Sequence, residues 1–372
     1  MSGRRTVVRR APGKLFVMGE YAVIEPGVPA ILVAVDRHVT VTVTGPAAAG
    51  VEISSDLGPH RERRKWQDGR LIPYGMDDER RAHGARLAHL ISAIETVARL
   101  SVERGRPAPA FRISVESGLH DHGTKYGLGS SGAVTVATVA AIAAHCGLAL
   151  SADERFRLAL LATAEIDPKG SGGDLAASTW GGWIAYRAPD RAAVLALAHD
   201  RGVDAALRAP WPGFDVRHLP APDGLSLQVG WTGTPASTAA LVSDLHRRPW
   251  HGTAAQQSFV RTTTDCVRAA ISALERSDGQ ELLRQVRRAR RELARLDDEA
   301  ALGVFTPRLT ALCEAAEAVG GAAKPSGAGG GDCGIALLDA GAPRDIARLR
   351  ARWAAAGVVP LPIRPAAEGN QE

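Results

Sequence analysis

Apolar positions recur with two different periods along the chain. Thr6 to Arg9, Leu15 to Met18, Ile31 to Val35 and the alternating Val39-Thr40-Val41-Thr42-Val43 have the β-branched, two-residue rhythm of strands, with Gly-Pro or Pro-Gly pairs between them. The rhythm changes over Ala85 to Leu100, where Leu87, Leu90, Ile91, Ile94 and Val97 fall on one face of a helix. Phe111 to Val115 returns to strand alternation. A Gly/Ser segment, Lys125 to Gly132, then leads into an Ala-rich helix predicted over Ala133 to His145, and Asp153 to Thr163 predicts a second helix. A glycine cluster at Lys169 to Asp174 follows, and Ser178 to Tyr186 reads as a strand with aromatic filling. Pro189, Pro210, Pro212, Pro220 and Pro222 predict irregular connecting structure over 188–224. Beyond it lie a predicted strand at Leu225 to Trp231 and a helix charged on one face at Gln280 to Asp297. A third glycine cluster, Gly327 to Gly334, precedes an apolar strand at Ile335 to Leu338. Strands and helices are mixed without an internal repeat, an α+β pattern.

The 372 residues exceed one compact core, since domains cluster near roughly 100–150 residues. The expected division is an N-terminal domain over 1–187, a connecting segment over 188–224 and a C-terminal domain over 225–372. Apolar residues at 45% and charged residues at 23% give a globular balance, not a disordered one. Cys146, Cys266, Cys313 and Cys333 are far apart and form no metal spacing, which suits a reducing cytoplasm. Leu15 to Met18 is cut off by Gly19-Glu20, too soon for the apolar part of an export signal. The longest apolar run, Ala133 to Leu150, contains Thr135, Thr138 and His145 and reads as a core helix, not a membrane span. No membrane partner is expected.

Net charge is +5, with acids and bases interleaved almost everywhere. The one dense basic cluster, Arg61 to Lys65, is better explained as a solvated loop than as a binding patch, because no basic stripe with interleaved aromatics accompanies it. Nucleic acid is therefore not an expected partner, whereas small anionic substrates suit a mild positive excess. His120 and His122 bracket Asp121, but no further ligand stands nearby and a loop explains them better than a metal site. Cys333 reads as a small buried residue beside glycine backbone, and Trp180 and Trp183 as core.

The glycine clusters carry the chemistry only in combination. A Gly/Ser loop feeding a helix N-terminus binds anions, because free N–H groups and the helix dipole both face the ligand. Gly127 to Gly132 has neither the GxxxxGK[ST] order of a Walker loop nor the GxGxxG order of a dinucleotide loop, so a different phosphate cradle is implied. Pro12-Gly13-Lys14 through Gly19-Glu20-Tyr21-Ala22-Val23, Gly127-Leu128-Gly129-Ser130-Ser131-Gly132, and Lys324-Pro325-Ser326-Gly327-Ala328-Gly329-Gly330-Gly331-Asp332 resemble motifs 1, 2 and 3 of the GHMP kinases, in that family's order and spacing. The resemblance spans nearly the whole chain. It implies a two-domain GHMP kinase fold, with an N-terminal domain of the ribosomal-protein-S5 domain-2-like type, a C-terminal α+β domain and an active site between them.

Within that family three stretches resemble the branch whose acceptor is 5-phosphomevalonate. They are Lys125-Tyr126 before the loop, Lys169-Gly170-Ser171-Gly172-Gly173-Asp174, and Gly230-Trp231-Thr232 followed by Pro235-Ala236-Ser237-Thr238. Members acting on an unphosphorylated alcohol such as mevalonate or homoserine are the alternative, and a catalytically silent metabolite sensor is a third. The resemblance implies ATP and Mg²⁺ as cofactors, held by Gly127, Leu128, Gly129, Ser130, Ser131 and Gly132, with Ser131 and Glu165 as metal ligands. It implies Lys14, Lys125 and Asp174 as catalytic residues, and Glu20, Tyr21, Ser171, Ser326, Ala328 and Gly329 as acceptor contacts beside them. An acceptor that is already an anionic phosphate needs little proton removal near neutral pH. Repulsion between two anions then dominates, so Lys125 is expected to lead electrostatically while Lys14 and Asp174 orient. A monomer or a homodimer is expected.

Overall fold

The computed structural model describes residues 6–369 except 46, 48–49, 57–60, 75–86, 122–123, 249 and 251. The four short strands expected at the N-terminus are two long antiparallel ones, β1 (Thr6–Met18) and β2 (Pro29–Thr44). Pro12-Gly13 does not end the strand. The register instead shifts between Pro12 and Lys14 and again between Phe16 and Met18, since a bulge accommodates a residue that cannot join the ladder.

Among the described residues, β2 is the hub of the first sheet. β3 (Val51–Ser55), β4 (Glu62–Gln67), β5 (Arg70–Pro73), β6 (Phe111–Ser117), β9 (Trp183–Arg187) and β10 (Asp215–Leu219) run in the order β10-β9-β2-β6-β3-β4-β5, with β1 on β2. A small hairpin of β7 (His120–Asp121) and β8 (Thr124–Lys125) leads from β6 toward the phosphate-loop segment. The basic cluster at 61–65 is mostly strand β4: Glu62 and Arg64 point inward and pair at 2.5 Å. His120 bonds Ser117 through Nδ1 at 2.8 Å, and His122 lies outside the described residues.

Helices α1 (Ala88–Glu103), α2 (Ser130–His145), α3 (Ala152–Ala164) and α4 (Gly173–Trp180) pack together, with α2 and α4 lying on β1 and β2. Helix α2 is buried on most of its circumference, from Gly132 to Ala143, and its small side chains allow its neighbours close. Ser151 and Glu154 form a capping box that starts α3. Two expectations need correction here. Ser178 to Trp180 is the last turn of α4, and β9 begins only at Trp183 after Gly181, which has φ +70°.

The second correction concerns 188–224. It holds α5 (Arg191–Arg201), α6 (Val203–Arg208) and strand β10, which extends the first sheet beside β9. Its prolines sit at element boundaries, where they cause no break. Phe214 beside β10 stacks on Phe156 of α3 with ring centroids 4.9 Å apart. The first unit therefore continues through Leu219.

The second sheet contains β11 (Leu225–Trp231), β12 (Ala322–Pro325), β13 (Cys333–Asp339) and β14 (Val359–Leu361), in the order β12-β13-β11-β14. α7 (Thr238–Arg247), α8 (Ala254–Glu275), α9 (Gly279–Ala300), α10 (Pro307–Glu317) and α11 (Pro343–Ala355) complete it. One core cluster runs from Leu32 and Ile184 of the first sheet through Cys266 and Val286 to Ile335 and Leu337 of the second. The chain end joins the two sheets as well. After β14, Ala366 N–H donates to Ala34 O at 2.8 Å, and Asp36 exchanges bonds with Arg364 on both sides at 2.9 Å.

Candidate active site

The bulge after Pro12 releases the Lys14 N–H from β1 to donate to Leu128 O at 2.8 Å, which binds the first motif to the second. Gly13 must be glycine for this contact, because a Cβ there would lie 2.7 Å from the same carbonyl oxygen. Gly127 and Gly129 hold φ of +79° and +76°, and α2 starts at Ser130, inside the expected loop instead of after it. Gly129 is the N-cap and offers no side chain. The first intrahelical bond is Ala133 N–H to Gly129 O at 3.1 Å, so the N–H groups of Ser130, Ser131 and Gly132 point out of the helix end without a capping side chain.

Two side chains converge on that end. A Cβ on Gly129 would come within 2.9 Å of Lys14 Cγ, and one on Gly132 within 2.5 Å of Asp174 Oδ2. Asp174 occupies the first turn of α4, aimed by Gly172 at φ +74° and by the Ser171 turn, where Ser171 Oγ accepts the Gly173 N–H at 3.2 Å. Lys14 is buried, with Nζ 5.5 Å from the centre of the Phe16 ring. Lys125 is exposed at the end of β8. Ser131, half-buried, is the second residue of the same helix, next in sequence to the Gly132 that Asp174 faces.

The third motif fastens to the first. Ser326 Oγ accepts from Phe16 N–H at 2.9 Å and donates to Phe16 O at 3.0 Å. Lys324, fully buried, ion-pairs with Glu20, which is 3% exposed, and donates to Pro325 O at 2.7 Å. Tyr21 sits at φ +61° and donates its hydroxyl to Ala328 O, and burial followed by the Asp297 and Glu20 charges pushes its pKa far up. Gly329 packs its α-carbon against Val304, where a Cβ would meet the carbonyl oxygen at 2.5 Å. Glu20, Tyr21, Ser326 and Ala328 thus have protein partners within the fastening.

Glu165 is placed differently from Ser131 and Asp174. It ends α3, and its Oε1 takes Arg99 at 3.2 Å and His199 at 2.9 Å. Burial raises its pKa, but the His199 and Arg99 contacts outweigh that and hold the carboxyl below its ordinary range. Among the described residues no three His, Cys, Asp or Glu side chains form a metal cluster.

Two residues near these groups were not among the expected site residues, although Asp332 closes the third motif. Asp332 packs against Gly127, and burial raises its pKa against the Ala236 N–H bond and the Lys14 and Lys125 charges, which lower it. His89 in the first turn of α1 has a buried Nδ1 without a hydrogen-bond partner. Burial lowers its pKa, Asp174 and Asp167 oppose, and Lys125 adds to the lowering. A helical period marks only where His89 falls on α1, and Asp332 stood in the third motif without an assigned role.

The family models described as GHMP kinases N terminal domain and GHMP kinases C terminal match residues 88–182 and 270–355. A phosphomevalonate kinase of Streptomyces sp. (strain CL190) is 69% identical over 372 residues, covering 99% of both chains. The chain belongs to the GHMP kinases. Two solved structures similar to this one are a Lin0012 protein from Listeria innocua and the Streptococcus pneumoniae phosphomevalonate kinase in complex with phosphomevalonate and AMPPNP. The first has a TM-score of 0.88 at 31% identity, covering 99% of each chain. The second has a TM-score of 0.82 at 25% identity, covering 96% of this chain and 99% of its own. The GHMP kinase fold accounts for the two sheets and the three motifs between them.

Proposed function

We propose that this GHMP kinase transfers the γ-phosphoryl group of ATP to the phosphate of 5-phosphomevalonate, giving 5-diphosphomevalonate and ADP in the supply of isoprenoid precursors. The observation that carries the reading is the convergence of Lys14 and Asp174 on the uncapped end of α2, in a chain 69% identical to a phosphomevalonate kinase over its full length. The open N–H groups of Ser130, Ser131 and Gly132 fit ATP phosphates, and glycine at 129 and 132 lets Lys14 and Asp174 stand close to them.

The donor set also fits Mg²⁺. That ion prefers oxygen, keeps several waters and arrives on the nucleotide phosphates, so the Ser131 hydroxyl and one carboxylate suffice. When bound, it would neutralise charge on the transferred group. We assign Ser131 as one ligand. Asp174, which faces Gly132 at the same helix end, is the carboxylate we assign with it, while Glu165 would serve only by leaving Arg99 and His199.

In the transfer, an anionic oxygen of the acceptor phosphate forms the new bond to Pγ, and the bond from Pγ to the β-phosphate oxygen breaks with ADP as leaving group. Lys14, held over Gly129, and Lys125, at the loop entrance, offset repulsion between acceptor and donor. Asp174 orients Lys14 and the acceptor. Ser171, whose carbonyl is fixed by the Tyr186 hydroxyl at 2.7 Å, and Gly329 shape the acceptor side together with Tyr21, Ser326 and Ala328. Glu20 acts there through Lys324.

No helix among the described residues is long and apolar enough to cross a membrane, and four free thiols suit a reducing compartment. We place the enzyme in the cytoplasm, acting as a monomer or homodimer on a small substrate. An assay of ADP release with mevalonate, 5-phosphomevalonate, homoserine and galactose tests the reading. Turnover confined to 5-phosphomevalonate is expected, and preference for mevalonate overturns it.

A further inference from the structure

Tyr126 opens the phosphate-loop segment, and the reaction as described gives it no role. It stands between Lys125 and Gly127 and is buried. The second sheet holds it twice. Trp231 of β11 and Cys333 of β13 are directly opposite each other in their ladder, so their side chains leave the sheet on one face. Trp231 meets the Tyr126 ring in a T-shaped contact, with ring centroids 5.3 Å apart, and the Cys333 thiol donates to Tyr126 O at 3.0 Å. From the first sheet, the Arg37 guanidinium of β2 lies over the same ring, 4.8 Å from its centre, and Tyr126 N–H donates to Leu119 O at 3.4 Å.

The residues that follow this anchor are the most permissive in the loop. Gly127 and Gly129 take φ of +79° and +76°, and the open N–H groups of α2 begin at Ser130. A glycine-rich segment keeps one conformation only where its ends are fixed, because glycine gives up the most backbone freedom on ordering. Helix α2 fixes the far end, and the Lys14 N–H holds the middle at Leu128 O. Tyr126 is the near end. A ring gripped between an indole and a guanidinium resists both sliding and turning, since the aromatic pair sets its angle and the cation holds its face. Lys125-Tyr126 and Gly230-Trp231-Thr232, two of the three stretches that resemble the 5-phosphomevalonate branch, thus meet in one ring contact.

We propose that Tyr126 is a positioning residue for the nucleotide: clamped by Trp231, Cys333 and Arg37 at the seam between the two sheets, it fixes the entrance of the phosphate loop so that the N–H groups of Ser130, Ser131 and Gly132 stand ready for ATP phosphates. The role rests on the kinase reading above. It makes nucleotide affinity depend on how the second sheet is seated against the first, without requiring Trp231 to touch ATP. Lys125 is held by its own hairpin, opposite His120, so the acceptor side should feel the clamp less.

The test measures Mg·AMPPNP binding by titration calorimetry, beside KM and kcat with ATP and 5-phosphomevalonate. The proteins are wild type, Tyr126→Leu, Trp231→Leu, their double variant and Tyr126→Phe. Tyr126→Leu should weaken AMPPNP binding and raise the ATP KM by about tenfold, with the acceptor KM moving less than about threefold. Trp231→Leu should act in the same direction, and the double variant should lie within about threefold of Tyr126→Leu, because both changes remove one contact. Tyr126→Phe keeps the ring and should restore affinity to within about threefold of wild type. A ring that merely filled space would lower the denaturation midpoint and leave nucleotide affinity alone. That result, or effects that multiply in the double variant, overturns the proposal. AMPPNP binding needs no acceptor, so the two readings fail separately. A wild type that binds AMPPNP but does not turn over 5-phosphomevalonate removes the acceptor assignment, and the AMPPNP series still decides the clamp. If Tyr126→Leu does not fold, Arg37→Met, which takes only the cation from the ring face, replaces it with an expected loss of AMPPNP affinity of about threefold, and unchanged affinity overturns the proposal.

Discussion

The two glycine-rich loops, 127–132 and 327–331, have similar composition and opposite uses. In the first, the atoms a Cβ would strike belong to Lys14, Asp174 and Asp332, and the N–H groups of the helix end are left open. In the second, a Cβ at Gly329 or Gly331 would strike the carbonyl oxygens of Val304 at 2.5 Å or Thr234 at 2.4 Å, and the polar groups are spent inside the protein. Gly330 N–H goes to Val304 O, Ser326 to Phe16 and Lys324 to Glu20. One loop leaves its helix N–H groups open; the other fastens the domains around it. A run of glycines signals close approach, but only the partner atom tells approach to a ligand from approach to the protein's own backbone.

The largest effect should come from breaking the fastener. Lys324→Met leaves Glu20 buried without its cation, which costs about 3–5 kcal/mol of stability. Chemical denaturation should show the midpoint falling accordingly, and Glu20→Gln added to Lys324→Met should recover much of it. If stability holds while turnover disappears, the Glu20 and Lys324 pair belongs to the ligand side of the comparison and the contrast between the loops is wrong.

Next in size is Lys125→Ala against Asp174→Asn at the open loop. With an anionic acceptor the barrier depends on charge neutralisation, so Lys125→Ala should lower kcat about a hundredfold or more. Asp174→Asn keeps the shape and one acceptor oxygen and should lose about tenfold. Steady-state kinetics at saturating Mg·ATP decide between them. If Asp174→Asn is the more damaging and raised Mg²⁺ does not rescue it, obligatory carboxylate chemistry replaces charge screening.

Gly132→Ala sharpens the contrast at a single atom. Gly132 is helical and lacks a positive φ, so the new methyl group adds no backbone strain, but it would sit 2.5 Å from Asp174 Oδ2. The carboxylate end can shift, so stability should change by less than about 1 kcal/mol while kcat falls about tenfold. A loss of stability with normal kcat would mean that Asp174 is packing, not poised.

Much of this arrangement is legible in the sequence where its signals are contiguous. Pro12-Gly13-Lys14, Gly127 to Gly132 and Ser171 to Asp174 each show turn chemistry next to a strand or helix pattern, and the structure brings Lys14, the loop and Asp174 together. The illegible parts are long-range or local overrides. Phe16 and Ser326 are 310 residues apart, and nothing in either neighbourhood announces their bond. Prolines made 188–224 look irregular because their spacing does not reveal that Pro189 precedes a helix cap at Asp190 and Pro220 follows a strand end at Leu219. Asp332 acquires its place from the Thr232 to Ala236 backbone, which periodicity does not record.

Ser131→Ala should give the smallest effect, and it asks what the open loop holds. Ser131 occupies the second position of α2, where a hydroxyl could serve the helix or a ligand, and its own carbonyl already accepts the Thr135 hydroxyl at 2.8 Å. The N-cap is Gly129, so Ser131 is not the capping residue, and removing its oxygen should cost the helix less than a cap would. Packing hardly changes, since the side chain is small and half-buried. Stability should therefore move by less than about 0.5 kcal/mol. If the hydroxyl is a Mg²⁺ ligand, the concentration of Mg²⁺ giving half-maximal rate should rise about five- to tenfold, with kcat at saturating Mg²⁺ within about threefold of wild type, because water can take the vacated position. Titration of activity against Mg²⁺ at fixed ATP reads this directly, and Ser131→Thr, which restores a hydroxyl, should return the midpoint toward wild type. A midpoint that stays put in Ser131→Ala would leave the nucleotide phosphates and Asp174 as the metal's only anchors, and would make the open end of α2 a phosphate cradle alone.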